Sequence, residues 1–258
     1  MLKCVSKIKK KGNDTLKDLL DVHTHTTASG HAYGTLRENI SMAKAKGLEL
    51  IGISDHAPNM PGSAHEYHFL NFHVIPRDAY GIKLMMGAEL NIIDYCGSTD
   101  LSARVLKELD YAIASLHNPC IEPGSLAENT AALIGAMRNP HVVIIGHPDN
   151  PRYPIDFDVV AKAAVDNKIL LEVNNSSYNP NGYRAGSREN AKLMLEACKK
   201  YGTKIIMGSD AHIDFDVGNH EISQEILREN NFPNELVVNY DVKNFFAHVN
   251  FRKSLTPV

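Results

Sequence analysis

The chain has 258 residues, 43% hydrophobic and 22% charged, an ordinary globular balance that excludes intrinsic disorder and collagen-like structure. A formal net charge of −3 gives no global reason for a nucleic-acid or anionic-membrane partner. Four scattered cysteines without a CxxC pair, no secretory signal and no apolar run near the ~20 residues of a membrane helix read as a soluble, cytoplasmic protein with reduced thiols.

Residues 1–15 carry five lysines and read as a basic, solvated lead-in, and residues 16–258 read as one domain. The first apolar run, Leu16–His23, ends in His23-Thr24-His25-Thr26. Thr35 and Glu38 form a capping box that opens a helix ending at Gly47. The second run, Leu48–Ser54, ends in Asp55-His56, and residues 58–78 read as a long irregular loop with some helix. The third run, Ile82–Ala88, ends in Glu89 and leads to a helix over about residues 98–109. The fourth, Tyr111–Leu116, ends in His117, and Ser125 with Glu128 caps a helix to about Asn139.

The fifth run, Val142–Gly146, ends in His147, and Asp156 caps a helix to about Lys168. The sixth, Ile169–Val173, ends in Asn174-Asn175-Ser176-Ser177, and Ser187 opens a helix that Gly202 stops. The seventh, Thr203–Met207, ends in Gly208-Ser209-Asp210-Ala211-His212. Helical stretches over about residues 218–230 and 241–253 complete the chain. Near-continuous apolar runs suit strands buried on both faces of a parallel sheet, and strict alternation with helices gives an α/β fold. Seven units in about 230 residues favour a closed barrel over an open sheet.

The chain has 13 histidines, and their placement carries the functional reading. Six of the seven runs end in a histidine, glutamate or aspartate. In a parallel barrel all strand C-termini face one rim. His23, His25, His56, Glu89, His117, His147, Asp210 and His212 are therefore expected to converge there, with His31 reaching the same rim from the loop after the first strand. His23 and His25, two apart on a strand, face the same side, and Asp210 and His212 repeat that spacing. So many imidazoles and carboxylates in one bowl are costly unless cations share them. Nine donors without thiolate suit three divalent metal ions, zinc first, with manganese or iron as alternatives.

These motifs resemble the polymerase and histidinol phosphatase (PHP) domain superfamily. The residues that carry the resemblance are His23-Thr24-His25, His31, Ser54-Asp55-His56, Gly87-Ala88-Glu89, Ser115-Leu116-His117, Gly146-His147-Pro148 and Ser209-Asp210-Ala211-His212, in order along most of the chain. Residues 169–177 and 186–190 are similar to the stand-alone bacterial phosphatase-like branch, although about 20 residues precede His23 where that branch starts almost at once. The resemblance implies a distorted (βα)7 barrel with a trinuclear metal site at the C-terminal rim. It assigns His23, His25, Glu89 and Asp210 to one cation, Glu89, His117 and His147 to a second, and His31, His56 and His212 to a third.

The chemistry expected of such a site is phosphomonoester hydrolysis on a small phosphorylated substrate by a metal-bridging hydroxide, with Asp210, Glu89 and His23 at its catalytic centre. Arg184, just past the sixth strand, and Ser187 and Arg188, in the first turn of the helix that follows, are expected to bind phosphate. Arg152 is a further option, and His65 and His68 are loop histidines that could act as a leaving-group acid or close over a substrate. Asp55 could accept an imidazole N–H. His73, His141, His220 and His248 read as structural, and Phe245-Phe246 with Val249 as packing of the last helix. Phosphodiesterase or nuclease activity and a non-catalytic metal-binding domain stay open as alternatives. The near-neutral charge argues against nucleic acid, and the sequence leaves a homo-oligomer open.

Overall fold

The computed structural model describes residues 16–179 and 182–255; the lysine-rich lead-in lies outside the described residues. The eight short strands among the described residues are β1 (Leu20–Asp21), β2 (Leu50–Ile53), β3 (Lys83–Met86), β4 (Ala88–Asn91), β5 (Ala112–Ser115), β6 (Val142–Ile145), β7 (Leu170–Asn174) and β8 (Ile205–Gly208). The α-helices are α1 (Leu36–Ala45), α2 (Glu66–Leu70), α3 (Ala103–Leu106), α4 (Leu126–Met137), α5 (Phe157–Asn167), α6 (Ser187–Tyr201), α7 (Glu221–Glu229) and α8 (Val242–Ser254).

Local chemistry sets the helix boundaries. Thr35 with Glu38 and Ser125 with Glu128 each form a complete capping box, and Asp156 caps α5 by accepting from the Val159 N–H. Gly202 ends α6 with a left-handed φ of 71°. The helix expected over residues 98–109 shrinks to the single turn of α3. The Asp94 carboxylate holds the Cys96 and Ser98 N–H groups in a turn, and Thr99 bridges to Ile92. The Asp100 side chain is engaged by Asn59 and Asn91, so the first half of that stretch is spent on loop hydrogen bonds.

The third apolar run divides at Gly87 into β3, paired with β2, and β4, paired with β5. A Cβ at Gly87 would stand 2.6 Å from the Tyr111 ring, so only glycine lets the chain pass that side chain. All strand pairings are parallel, in the orders β1-β2-β3 and β4-β5-β6-β7-β8. Two parallel bridges stand at the seams between these sheets: Thr24 to Ala211, beyond the C-terminal ends of β1 and β8, and His56 to Glu89, from beyond the end of β2 to the start of β4.

Both strand faces are buried, as continuous apolar runs require. Ile51, Ile53, Leu171 and Val173 belong to the large cluster that packs against the helices. Their neighbours Leu50 and Leu170 point the other way, into a second cluster with Val22, Tyr111, Ile206 and Phe245. Phe245 and Val249 of α8 are buried in that cluster, as expected for core packing. Arg252, on the same helix and also buried, donates to the carbonyls of Met137, Asn139, Val142 and Asn167. No described helix is long and apolar enough to cross a membrane.

Candidate metal centre

The parallel strands deliver their C-terminal residues to one place, and all nine expected donors meet there. Glu89 is the hub. Its Oε2 lies 2.8 Å from His56 Nδ1, 3.4 Å from His23 Nε2 and 3.6 Å from His25 Nε2. Its Oε1 lies 3.2 Å from His117 Nε2 and 3.1 Å from His147 Nε2. Asp210 Oδ1 is 3.2 Å from His25 Nε2 and 3.6 Å from His23 Nε2. His31 and His212 close the outer side, with their Nε2 atoms 3.0 Å apart. Three sets of donor atoms each lie within 4.8 Å of one another: His23, His25 and Asp210; His25, His56 and His212; His56, Glu89 and His117.

His23 Nε2, His25 Nε2, His56 Nδ1, His117 Nε2 and Glu89 Oε2 are buried without a hydrogen-bond partner. One such atom costs about 1–3 kcal/mol, and five converging on one space call for a shared electrophile. Nitrogen and oxygen donors without thiolate fit a divalent cation.

The far side of four of the seven rings supports the same reading. His23 Nδ1 donates to Glu172 at 2.6 Å, His117 Nδ1 to Asn91 at 2.7 Å, His25 Nδ1 to Ser29 Oγ at 3.1 Å and His212 Nδ1 to the Asp210 carbonyl at 3.0 Å. Each bond fixes the tautomer that leaves the Nε2 lone pair facing the centre. Two of the donors also sit on left-handed backbone, His147 at φ 31° and Asp210 at φ 54°. Such conformations cost of order ~1–3 kcal/mol in a non-glycine residue and concentrate at functional sites.

Electrostatics prepares most of these donors for a cation. Burial opposes ionisation of Glu89, but His117, His23 and His56 outweigh it and hold its carboxyl well below the usual range. Asp210 is likewise held well below, against its burial, by His23, His25 and Arg184. Burial, with His56 and His212 alongside, drives the His25 pKa well below that of a free imidazole. Burial lowers His117 and His147 as well. At His23 burial also opposes the charge, but Glu172, Glu89 and Asp210 outweigh it and raise the pKa well above that of a free imidazole, so a cation there would displace a proton. Ionised carboxylates and neutral imidazoles are the protonation states a metal binds.

The centre opens into a cavity of about 540 Å³ whose lining includes His31, His117, Met60, Tyr183, Arg184 and Asp216. Of the three residues expected to bind phosphate, the structure brings one to this cavity. Arg184 Nη1 lies 3.0 Å from Asp210 Oδ2 and 3.2 Å from Ser177 Oγ. Arg188 is turned away, its Nη2 held by Glu225 at 2.6 Å and Glu229 at 2.8 Å on α7. Ser187 is buried and does not line the cavity. Arg152 does not line it either.

Asp55 does accept an imidazole N–H, although from His68 (3.3 Å) and not from a histidine of the centre. Its remaining partners are Thr26 and Ser29, and together with His68 they overcome burial and hold its carboxyl at about 2. His65 serves as N-cap of α2, and His220 pairs with Asp18 and Asp21 away from the donors. Burial pushes the Cys120 thiol up to about 12, far from a nucleophile's range.

Glu172, Asn91 and Ser29 are not among the expected site residues, yet each holds a donor imidazole. Two of them carry a readable signal. Glu172 is an acidic residue inside an apolar strand, and Asn91 shares a strand face with Glu89 two positions away.

A family model described as PHP domain matches residues 21–176. A protein named probable phosphatase from Clostridium novyi (strain NT) is 46% identical over 240 residues, covering 93% of this chain and 98% of its own. Among solved structures, a histidinol phosphate phosphatase from Lactococcus lactis, complexed with zinc, L-histidinol and phosphate, superposes with a TM-score of 0.58 at 18% identity, over 84% of this chain and 95% of that one. A chain of an archaeal ribonuclease P structure with mature tRNA gives 0.56 at 17% identity and covers 92% of each. At these identities the structural likeness is one of fold.

Proposed function

The chain belongs to the PHP domain family, and from that premise we propose that it is a metal-dependent phosphatase that cleaves the monoester of a small phosphorylated substrate. The observation that carries this is the set of five buried, unpartnered donor atoms in a centre that opens, past His56 and His117, into a cavity lined by an arginine. Three divalent cations, zinc first, with manganese or iron as alternatives, account for the donor set. His23, His25, Glu89 and Asp210 hold one, Glu89, His117 and His147 a second, and His31, His56 and His212 a third. The zinc in the Lactococcus lactis protein supports that choice of metal.

Bound cations supply a lowered water pKa, hence a hydroxide nucleophile at neutral pH, and neutralise charge on phosphoryl oxygens. Glu89 and Asp210 bring the negative charge that holds cations there, and His23 completes the catalytic core. Arg184 supplies a planar donor to a phosphoryl oxygen and is the one lysine or arginine among the residues lining the cavity. A single fixed cation suits one phosphate better than a nucleic-acid backbone, which needs a series of such contacts. The single bridges at the two seams support closure of the strands into a distorted (βα)7 barrel in one domain from residue 16 onward. Free Cys96, Cys120 and Cys198 suit a cytoplasmic enzyme.

The test is hydrolysis of p-nitrophenyl phosphate and bis(p-nitrophenyl) phosphate by zinc- or manganese-loaded protein. Monoester cleavage is expected. Cleavage of the diester alone would replace this reading with a phosphodiesterase, and cleavage of neither by metal-loaded protein would make the centre a binding site without this chemistry.

A further inference from the structure

β7 contributes no donor to the metal centre, yet two of its residues touch three of the donors. The Glu172 carboxylate is buried and takes the His23 Nδ1–H at 2.6 Å on Oε1. Its Oε2 accepts the backbone N–H of His147 at 2.8 Å and the Asn174 amide at 3.0 Å. The same Asn174 amide donates to Asp210 Oδ2 at 3.2 Å. Residues 172 and 174 lie on one face of the strand, so a single strand face reaches the ends of β1, β6 and β8 at once.

Two further features agree with a built support. A Cβ at Gly208 would overlap Glu172 Oε1, so the neighbouring strand is cut back where the carboxylate lies. The His147 N–H that Glu172 holds belongs to one of the two donors on left-handed backbone, a conformation that needs an outside contact to persist. A buried glutamate with every contact directed to a donor, or to the asparagine that holds another donor, is organised around the centre.

We infer that Glu172, assisted by Asn174, is the positioning residue of the cation held by His23, His25, Glu89 and Asp210, fixing His23 by its ring, and that through the His147 backbone it also steadies one donor of the neighbouring cation. The inference rests on the metal centre and is independent of which ester the protein cleaves. It separates this cation from the one assigned to His31, His56 and His212, whose donors Glu172 does not touch.

The experiment is zinc content and chelator resistance of wild type, Glu172→Gln, Asn174→Ala and Gly208→Ala, read beside the thermal midpoints of the metal-free forms. Glu172→Gln keeps the size and one acceptor but removes the charge. It is expected to lose one zinc per chain on dialysis and to weaken that zinc about 10- to 100-fold, with the remaining zinc and the metal-free midpoint near wild type. Gly208→Ala displaces the carboxylate without removing it and is expected to give the same selective loss. Asn174→Ala is expected to give a smaller one. Full zinc retention by Glu172→Gln would overturn the inference. So would loss of all zinc together with a collapsed metal-free midpoint, which is the signature of a purely structural glutamate. Wild type that binds no zinc would instead overturn the metal centre itself, and the inference with it.

Discussion

His56 Nδ1 stands 2.8 Å from Glu89 Oε2, and neither buried atom has a hydrogen-bond partner. His56 follows the end of β2 and Glu89 lies in β4, and the sheets of these strands touch through the bridge between the two residues. A seam between sheets is thus also where unpaired donors meet, which couples occupancy of the centre to stability of the fold.

That coupling gives the first prediction. Cations that bind the native donors and not the unfolded chain raise stability by mass action, about 2.7 kcal/mol at a hundredfold excess over Kd. Zinc or manganese is expected to raise the thermal midpoint in a concentration-dependent way, and chelation to lower it. Calorimetric scans with and without chelator check this.

Arg184 and Arg188 lie four residues apart but in different surroundings. Arg184→Ala removes the cavity's one guanidinium and is expected to lower kcat/KM about a hundredfold or more, with Arg184→Lys only partly restoring it. Arg188→Ala breaks an exposed pair with α7 and is expected to leave kcat/KM within about twofold. Steady-state kinetics on one phosphomonoester separates the two.

His220 carries a pH dependence of stability. Burial disfavours its charged form, but Asp18 and Asp21 outweigh that and raise its pKa to about 10. A group raised above its unfolded value stabilises the fold fully below that value, and the contribution fades as pH climbs towards the folded one. Stability is therefore expected to fall between about pH 6.5 and 10. His220→Gln is expected to be less stable at neutral pH and to lose most of that slope. Urea denaturation across the range measures both.

Arg252 ties α8 to four carbonyls at the ends of α4 and α5 and the start of β6. Arg252→Met keeps the stem and removes every donor. The expected cost is at least ~3 kcal/mol, seen as a lower urea midpoint with little change in zinc affinity.

Much of this site is legible in the sequence because strand direction does the assembling. His23 and His25, Asp210 and His212, and single residues at four other strand ends need only a parallel sheet to meet. Glu172 is harder to read because its partner lies 149 residues away and its strand otherwise looks like plain core. Arg188 looks like a phosphate binder because it begins a helix, but the start of a helix does not say which way a side chain leaves it, and here α7 captures it. The split of the third strand at Gly87 depends on the bulk of Tyr111, a packing fact with no local signature. The shortened α3 reflects side-chain competition from Asp94 and Asp100 for loop N–H groups, which outweighed an otherwise helical pattern.

The central claim is that these donors hold cations and that the cations make the centre a phosphatase. It is tested most directly by phosphate release from a phosphomonoester as metal is titrated into metal-free protein, with Asp210→Ala in parallel. The expected result is no release without metal, activity that rises with added zinc or manganese and saturates, and none from the variant at any metal concentration. Release by metal-free protein, or equal release by Asp210→Ala, would contradict it.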